Sequence, residues 1–106
     1  MGDTNYFSGI VKVLENPKHS LIIKDVSIIN FRAEIPQNRA NKIISLIFWG
    51  NLATEVQNYY QINDYILVEG YLSSRIKKSS SNKLNNFRQI TLTVLKVYPL
   101  LIKIDQ

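Results

Sequence analysis

A chain of 106 residues, 45% of them hydrophobic, suits one domain around one core, and the absence of cysteine excludes a disulfide, a thiolate metal site and a cysteine nucleophile. No apolar run approaches the ~20 residues that a membrane helix needs, and the N-terminus has no signal-peptide pattern, so a soluble protein with no membrane partner is expected. The formal net charge of +5 is unevenly placed: residues 1–69 hold six Lys or Arg against seven Asp or Glu, whereas residues 70–104 hold seven basic residues and no acid. Such clustering is the footprint of a polyanion binder, with a basic solvated surface as the alternative.

Met1 to Thr4 are expected to be disordered or a cloning remnant. Residues 5–14 alternate as a first strand, with Phe7, Gly9, Val11 and Val13 on one face; Gly9 suggests a strong bend or a bulge, as tightly curved small barrels require. Asn16-Pro17 closes this strand, and Leu21-Ile22-Ile23 reads as a short continuation after the turn that holds the lone histidine, His19, a solvated loop residue rather than a ligand. Residues 26–35 form a second strand, with Ile29, Phe31, Ala33 and Ile35 inward and Ile28, Asn30, Arg32 and Glu34 outward. A polar loop, 36–41, leads to a third strand, Lys42 to Trp49. There Ile44, Leu46 and Phe48 share the core face and Trp49 falls on the opposite one.

Gly50 breaks the strand and a short helix follows, with Asn51 expected to accept from the first-turn N–H groups and Glu55 placed near the positive end of the dipole. Leu52, Val56, Tyr59 and Tyr60 make its apolar stripe, with Ala53 at the margin. Asn63-Asp64 ends the helix in turn chemistry. A fourth strand begins near Tyr65, with Ile66, Val68, Gly70 and Leu72 alternating against Leu67, Glu69, Tyr71 and Ser73. Residues 75–86 have no apolar period and read as a long, mobile, basic hairpin loop. Phe87 to Val97 form a fifth strand, with Ile90, Leu92 and Val94 inward, and Pro99 ends it. Leu100 to Ile104 is apolar for a terminus and is expected to pack on the barrel or on a neighbouring subunit.

Five short strands with one helix between the third and fourth match an all-β OB-fold, a partly open five-stranded barrel, spanning 5–104 as one domain. Phe48-Trp49-Gly50-Asn51-Leu52-Ala53, then Tyr59-Tyr60, then Ile66-Leu67-Val68-Glu69-Gly70-Tyr71-Leu72-Ser73-Ser74-Arg75, closely resemble the bacterial and organellar single-stranded DNA-binding protein family. That resemblance implies single-stranded DNA as the ligand, a role in replication, repair and recombination, and a homo-oligomer, dimer or tetramer, with first strands pairing between subunits. No cofactor and no enzymatic activity are expected, because with one histidine in a turn, no cysteine and eight scattered acids nothing resembles a nucleophile–base pair or a metal cluster. The family's acidic-tipped tail is not in this sequence, as in a truncated chain or a natural short form. Short OB proteins like the primosomal replication protein PriB are the near competitor, acting mainly through replication proteins, and an RNA-binding OB protein is a third reading. The abundance of Ile, Asn and Lys is that of AT-rich genomes, so a plastid or other organelle interior, or a bacterial cytoplasm, is the expected location.

Family members stack bases on exposed aromatics and track phosphates with Lys and Arg. Trp49 occupies a stacking position by resemblance and is off the core by strand phase; the alternative is a packing or interface tryptophan. Two other family stacking positions are Ile43 and Lys77 here. Tyr71 and Phe87 are substitute platforms, with strand pairing or barrel-end packing as the alternative for each. Arg75, Lys77, Lys78, Lys83 and Arg88 are the first choices for phosphate contacts, followed by Arg32, then Lys42 and Arg39. A solubilising loop tip is the bland alternative for the hairpin cations.

Overall fold

The computed structural model describes residues 5–18, 20–36, 41–78 and 86–100, with the side chains of 75–78 and 86–88 left out. Six strands and one helix follow in the order β1 (Asn5–Val13), β2 (Ser20–Ile23), β3 (Val26–Ile35), β4 (Lys42–Trp49), α1 (Asn51–Tyr59), β5 (Tyr65–Lys78) and β6 (Asn86–Pro99). The sheet order is β1-β5-β6-β4-β3-β2, and β1 also pairs with β3. The sheet is therefore closed on itself through β1, but only by Lys12↔Glu34 and Val13↔Ala33. With β4 parallel to β6 and the helix between β4 and β5, this is the partly open barrel of the OB-fold.

Alternation builds the interior. Val11 and Val13 of β1, Ile29, Phe31 and Ala33 of β3, Ile44, Leu46 and Phe48 of β4, Ile66 and Val68 of β5, and Leu92 and Val94 of β6 form one buried cluster. Each of these five strands thus contributes every second residue, as a half-buried strand must, whereas β2 contributes none. Phe31 and Phe48 stack at its centre, with ring centroids 5.3 Å apart.

The helix closes one end of this barrel, but its start and stripe depart from the sequence reading. Its N-cap is Gly50, not Asn51, with no side-chain cap bond, and no acid lies in the first turn. The backbone does the work instead: Gly50 N–H donates to the Ser27 carbonyl at 2.7 Å, and the Gly50 carbonyl accepts from Ala53 and Thr54. Gly50 takes φ 64°, ψ −129°, which a residue with a Cβ adopts only at a strain cost, so the strand-to-helix turn depends on glycine here. The buried stripe runs through Ala53, Val56 and the C-terminal Tyr60, while Tyr59 is 76% exposed. The packed face is rotated toward Ala53, the smallest residue available for a close approach to the barrel, and this swings Tyr59 out.

Gly9 is neither bent out of register nor bulged, since β1 pairs with β5 without a shift from Asn5↔Leu72 to Lys12↔Tyr65. A Cβ at Gly9 would lie 2.8 Å from the Phe7 ring, so the residue leaves room for that side chain. The irregularity lies between Glu69 and Gly70, where β6 carries one extra residue, Leu95. Beyond it the pattern on β6 shifts phase, from buried Leu92 and Val94 to buried Val97.

Two further readings change. Leu21 to Ile23 do not continue β1; they form β2, a hairpin on β3 whose two turn residues, Lys24 and Asp25, both have positive φ (51° and 65°). That is the backbone of a tight two-residue turn, whose twist matches that of the flanking strands. The basic hairpin loop is also shorter than expected, because Arg75 to Lys78 pair with Gln89 to Asn86 as regular ladder. Met1 to Thr4, His19, Arg39, residues 79–85 and residues 101–106 lie outside the described residues.

A Cβ at Gly70 would stand 1.9 Å from the Thr93 carbonyl oxygen. Gly70→Ala is therefore expected to lower stability by at least about 1–3 kcal/mol, the usual cost of overpacking, measured by urea denaturation followed by far-UV circular dichroism.

Candidate nucleic-acid interface

The residues that the interior rejects make the outer face. Antiparallel register with β3 places Trp49 beside Ile28, Ile47 beside Asn30, and Ser45 beside Arg32, and on the other flank of β4 the parallel register with β6 places Ile47 beside Thr93 and Ser45 beside Thr91. Across β6 and β5 the same face continues through Tyr71, opposite Thr93, and reaches Tyr6 of β1, opposite Tyr71. A row Asn30, Ile47, Thr93, Tyr71, Tyr6 therefore crosses five strands of the sheet.

Trp49 ends β4 with 49% of its surface exposed, in agreement with its strand phase. Beside it lies an open groove of about 380 Å³ lined by Leu21, Ile23, Ile28, Asn30, Ile47 and Trp49. The β2 hairpin supplies its far wall and accounts for the burial of Ile28, which parity alone puts outside. Sequence reasoning missed this groove because it took Leu21 to Ile23 as the tail of β1. The signal available was the pair of apolar side chains at alternate positions, Leu21 and Ile23, immediately before the short polar turn Lys24-Asp25.

Tyr71 is 43% exposed and meets Tyr6 edge to face at 5.6 Å. The Tyr6 hydroxyl donates to Glu69 Oε1 at 2.6 Å, and this bond to the carboxylate is the main reason that its pKa is raised. Tyr71 is therefore both exposed and engaged in a strand-to-strand contact.

Arg32 lies on the outer face but has a partner. Its Nε donates to Glu15 Oε2 at 3.0 Å and its backbone N–H donates to Glu15 Oε1 at 2.7 Å, so one carboxylate straps the end of β1 to β3. Lys42 is exposed at the first position of β4, opposite Ile35. In the β5–β6 ladder Arg75 stands opposite Gln89, Lys77 opposite Phe87, Ile76 opposite Arg88 and Lys78 opposite Asn86. Arg75, Lys77 and Phe87 thus share one parity, and Lys78 and Arg88 the other; Lys83 lies outside the described residues. Trp49, Arg32 and Tyr71 are brought onto one continuous face, at its two ends and one corner rather than in a single cluster. Among the described residues no group of three or more His, Cys, Asp or Glu comes together as a metal site would require, and no helix is long and apolar enough to cross a membrane.

The fold is thus a partly open OB barrel that sets an exposed indole beside an apolar groove. A protein of Trieres chinensis named "Putative single-stranded DNA-binding protein ycf41" is 40% identical over 102 residues, covering 92% of this chain and 90% of that protein. The chain belongs to the single-stranded DNA-binding protein family. Among solved structures, the small single-stranded DNA-binding protein of Streptomyces coelicolor superposes with a TM-score of 0.78 at 11% identity, covering 94% of this chain and 97% of that one. An SSB domain from Synechococcus sp. matches at TM-score 0.68 and 24% identity over 92% and 98% of the two chains. The second single-stranded DNA-binding protein of Mycobacterium smegmatis matches at 0.69 and 16% over 98% and 100%. At these identities the three structures show the shared fold. No family model matches the chain.

The backbone N–H of Arg32, then its side chain, holds the Glu15 carboxyl below its ordinary pKa. A depressed folded-state pKa stabilises the fold above the unfolded-state value and loses that contribution as pH falls through the folded-state value. Glu15→Gln should therefore flatten the acid limb of the thermal-midpoint-against-pH curve below about pH 4.5, the ordinary glutamate range, and leave its shape near neutrality unchanged.

Proposed function

We propose that this protein binds single-stranded DNA with little sequence preference, stacking bases on Trp49 and holding the backbone with the cations of the β5–β6 hairpin. The observation that carries this reading is the half-exposed indole at the end of β4, with an open groove beside it and, among the described residues, no charged side chain lining that groove. Every base has a π-face, so stacking on an aromatic contributes ~1–3 kcal/mol per base with little regard to sequence. The name of the Trieres chinensis relative supports the same ligand. Arg75, Lys77, Lys78, Lys83 and Arg88 are the proposed phosphate contacts, with Lys42 and Arg32 behind them, and Tyr71 and Phe87 are secondary platforms. Arg32 ranks low because a phosphate must share it with Glu15.

The protein so read is a single OB-fold domain over 5–104 that acts by binding rather than catalysis, in DNA replication, repair or recombination, inside an organelle or a bacterial cytoplasm. It works as a homo-oligomer: the edge of β1 that faces away from β5 pairs with β3 only at Lys12 and Val13, and an open strand edge favours pairing with another chain. Light scattering should return a mass of at least two chains.

Trp49 is the sole tryptophan, so its fluorescence reports on the site directly. Titration with an oligo-dT strand should quench it, and affinity should fall with salt at a log–log slope of about −0.7 per neutralised phosphate. Emission that does not change at micromolar strand would favour an adaptor that acts through protein partners. With a labelled oligonucleotide, Trp49→Ala should bind about 5- to 150-fold more weakly by anisotropy, the equivalent of one lost stack.

A further inference from the structure

On the reading that the protein binds single strands, we propose that the groove beside Trp49 is a socket for one unstacked base, and that the Asn30 side-chain amide hydrogen-bonds the edge of that base whatever its identity. The socket is built by register. Leu21, Ile28 and Trp49 stand in one row across β2, β3 and β4, and Asn30 and Ile47 stand in the next, so an apolar pocket carries a single polar group at its side. Its volume of about 380 Å³ lies at the small end of the roughly 300–1,000 Å³ typical of ligand pockets, which suits one planar heterocycle better than a larger ligand. Among the described residues no charged side chain lines it, as befits a neutral base rather than a phosphate.

Asn30 is exposed, and its side-chain amide has no hydrogen-bond partner among the described residues. It follows Ile29 and precedes Phe31, both buried, so the backbone that presents it is fixed from the core side. An amide is donor and acceptor at once. Cytosine offers an N4–H donor next to the N3 acceptor; thymine offers the O4 acceptor next to the N3–H donor. Rotation of the amide by half a turn satisfies either edge. Such a residue detects that a base is present without selecting which one, and this reconciles a hydrogen-bonding socket with low sequence preference. It also explains why a polar residue is placed in an otherwise apolar groove.

A carboxylate at the same place can only accept. It can take a hydrogen from the cytosine amine, whereas the single N3–H of thymine lies between two carbonyl oxygens that repel it. The proposal is tested by measuring dissociation constants for fluorescently labelled oligo-dT and oligo-dC at neutral pH and one fixed salt concentration, for wild type, Asn30→Leu and Asn30→Asp. The wild type should bind both strands within a few-fold of each other. Asn30→Leu should weaken both by a similar factor of ~3–10, the loss of one ordinary hydrogen bond. Asn30→Asp should weaken both through its charge and in addition move the dC-to-dT affinity ratio about fivefold toward dC; the ratio is insensitive to a general loss of phosphate binding or of folding. An unchanged ratio in Asn30→Asp, or full affinity in Asn30→Leu, with the wild type still binding, overturns the socket and leaves the proposed function standing. Absence of wild-type binding to either strand overturns both.

Discussion

Phe48 and Trp49 are neighbours in a strand, and a strand sends neighbours to opposite faces. Phe48 stacks on Phe31 in the middle of the barrel, so the next residue has to leave the core. The exposure of a large indole, costly in isolation, is therefore a by-product of a contact buried in the core. Gly50 then turns the chain at a positive φ and ties the helix start to Ser27, which keeps the end of β4 pinned to β3 at the place where the indole emerges. Core packing, the strand-to-helix turn and the site share three consecutive residues.

The outer face inherits its organisation from the same alternation. Once β3 commits Ile29 and Phe31 to the core, Ile28 and Asn30 must face outward, and the β2 hairpin covers Ile28 while leaving Asn30 free. The opposite flank of the face is held by different means, the Tyr6–Tyr71 contact and the Tyr6–Glu69 hydrogen bond. Arg32 and Glu15 lock the seam where the barrel closes, which makes this arginine as much a structural cation as a ligand-facing one.

Much of this was legible in the residues. The bounds of β3 and β4 follow from clean alternation of apolar and polar positions, and the outward phase of Trp49 follows with them. What was hidden had local signals that pointed elsewhere. Leu21-Ile22-Ile23 is too short for its period to declare a partner, and a Lys-Asp turn lacks the glycine that marks most two-residue hairpins. Gly9 looked like the flexible point of the barrel, but the bulge lies at Glu69–Gly70, where the approach of the Thr93 backbone excludes a side chain. Arg75 to Lys78 read as loop because a single isoleucine among three cations shows no apolar alternation; their ladder is made with β6 across the sheet. Tyr59 and Tyr60 satisfy the same helical stripe on paper, but the chain leaves the helix at Tyr60, whose extended backbone (φ −119°, ψ 152°) goes with its burial while Tyr59 stays exposed.

Acrylamide quenching of the lone tryptophan tests most directly whether the outward indole is the surface that a strand covers. A small neutral quencher should reach Trp49 readily in the free protein and lose most of that access when the protein is saturated with oligo-dT. Equal quenching with and without the strand, under conditions where anisotropy proves the strand bound, would contradict the account.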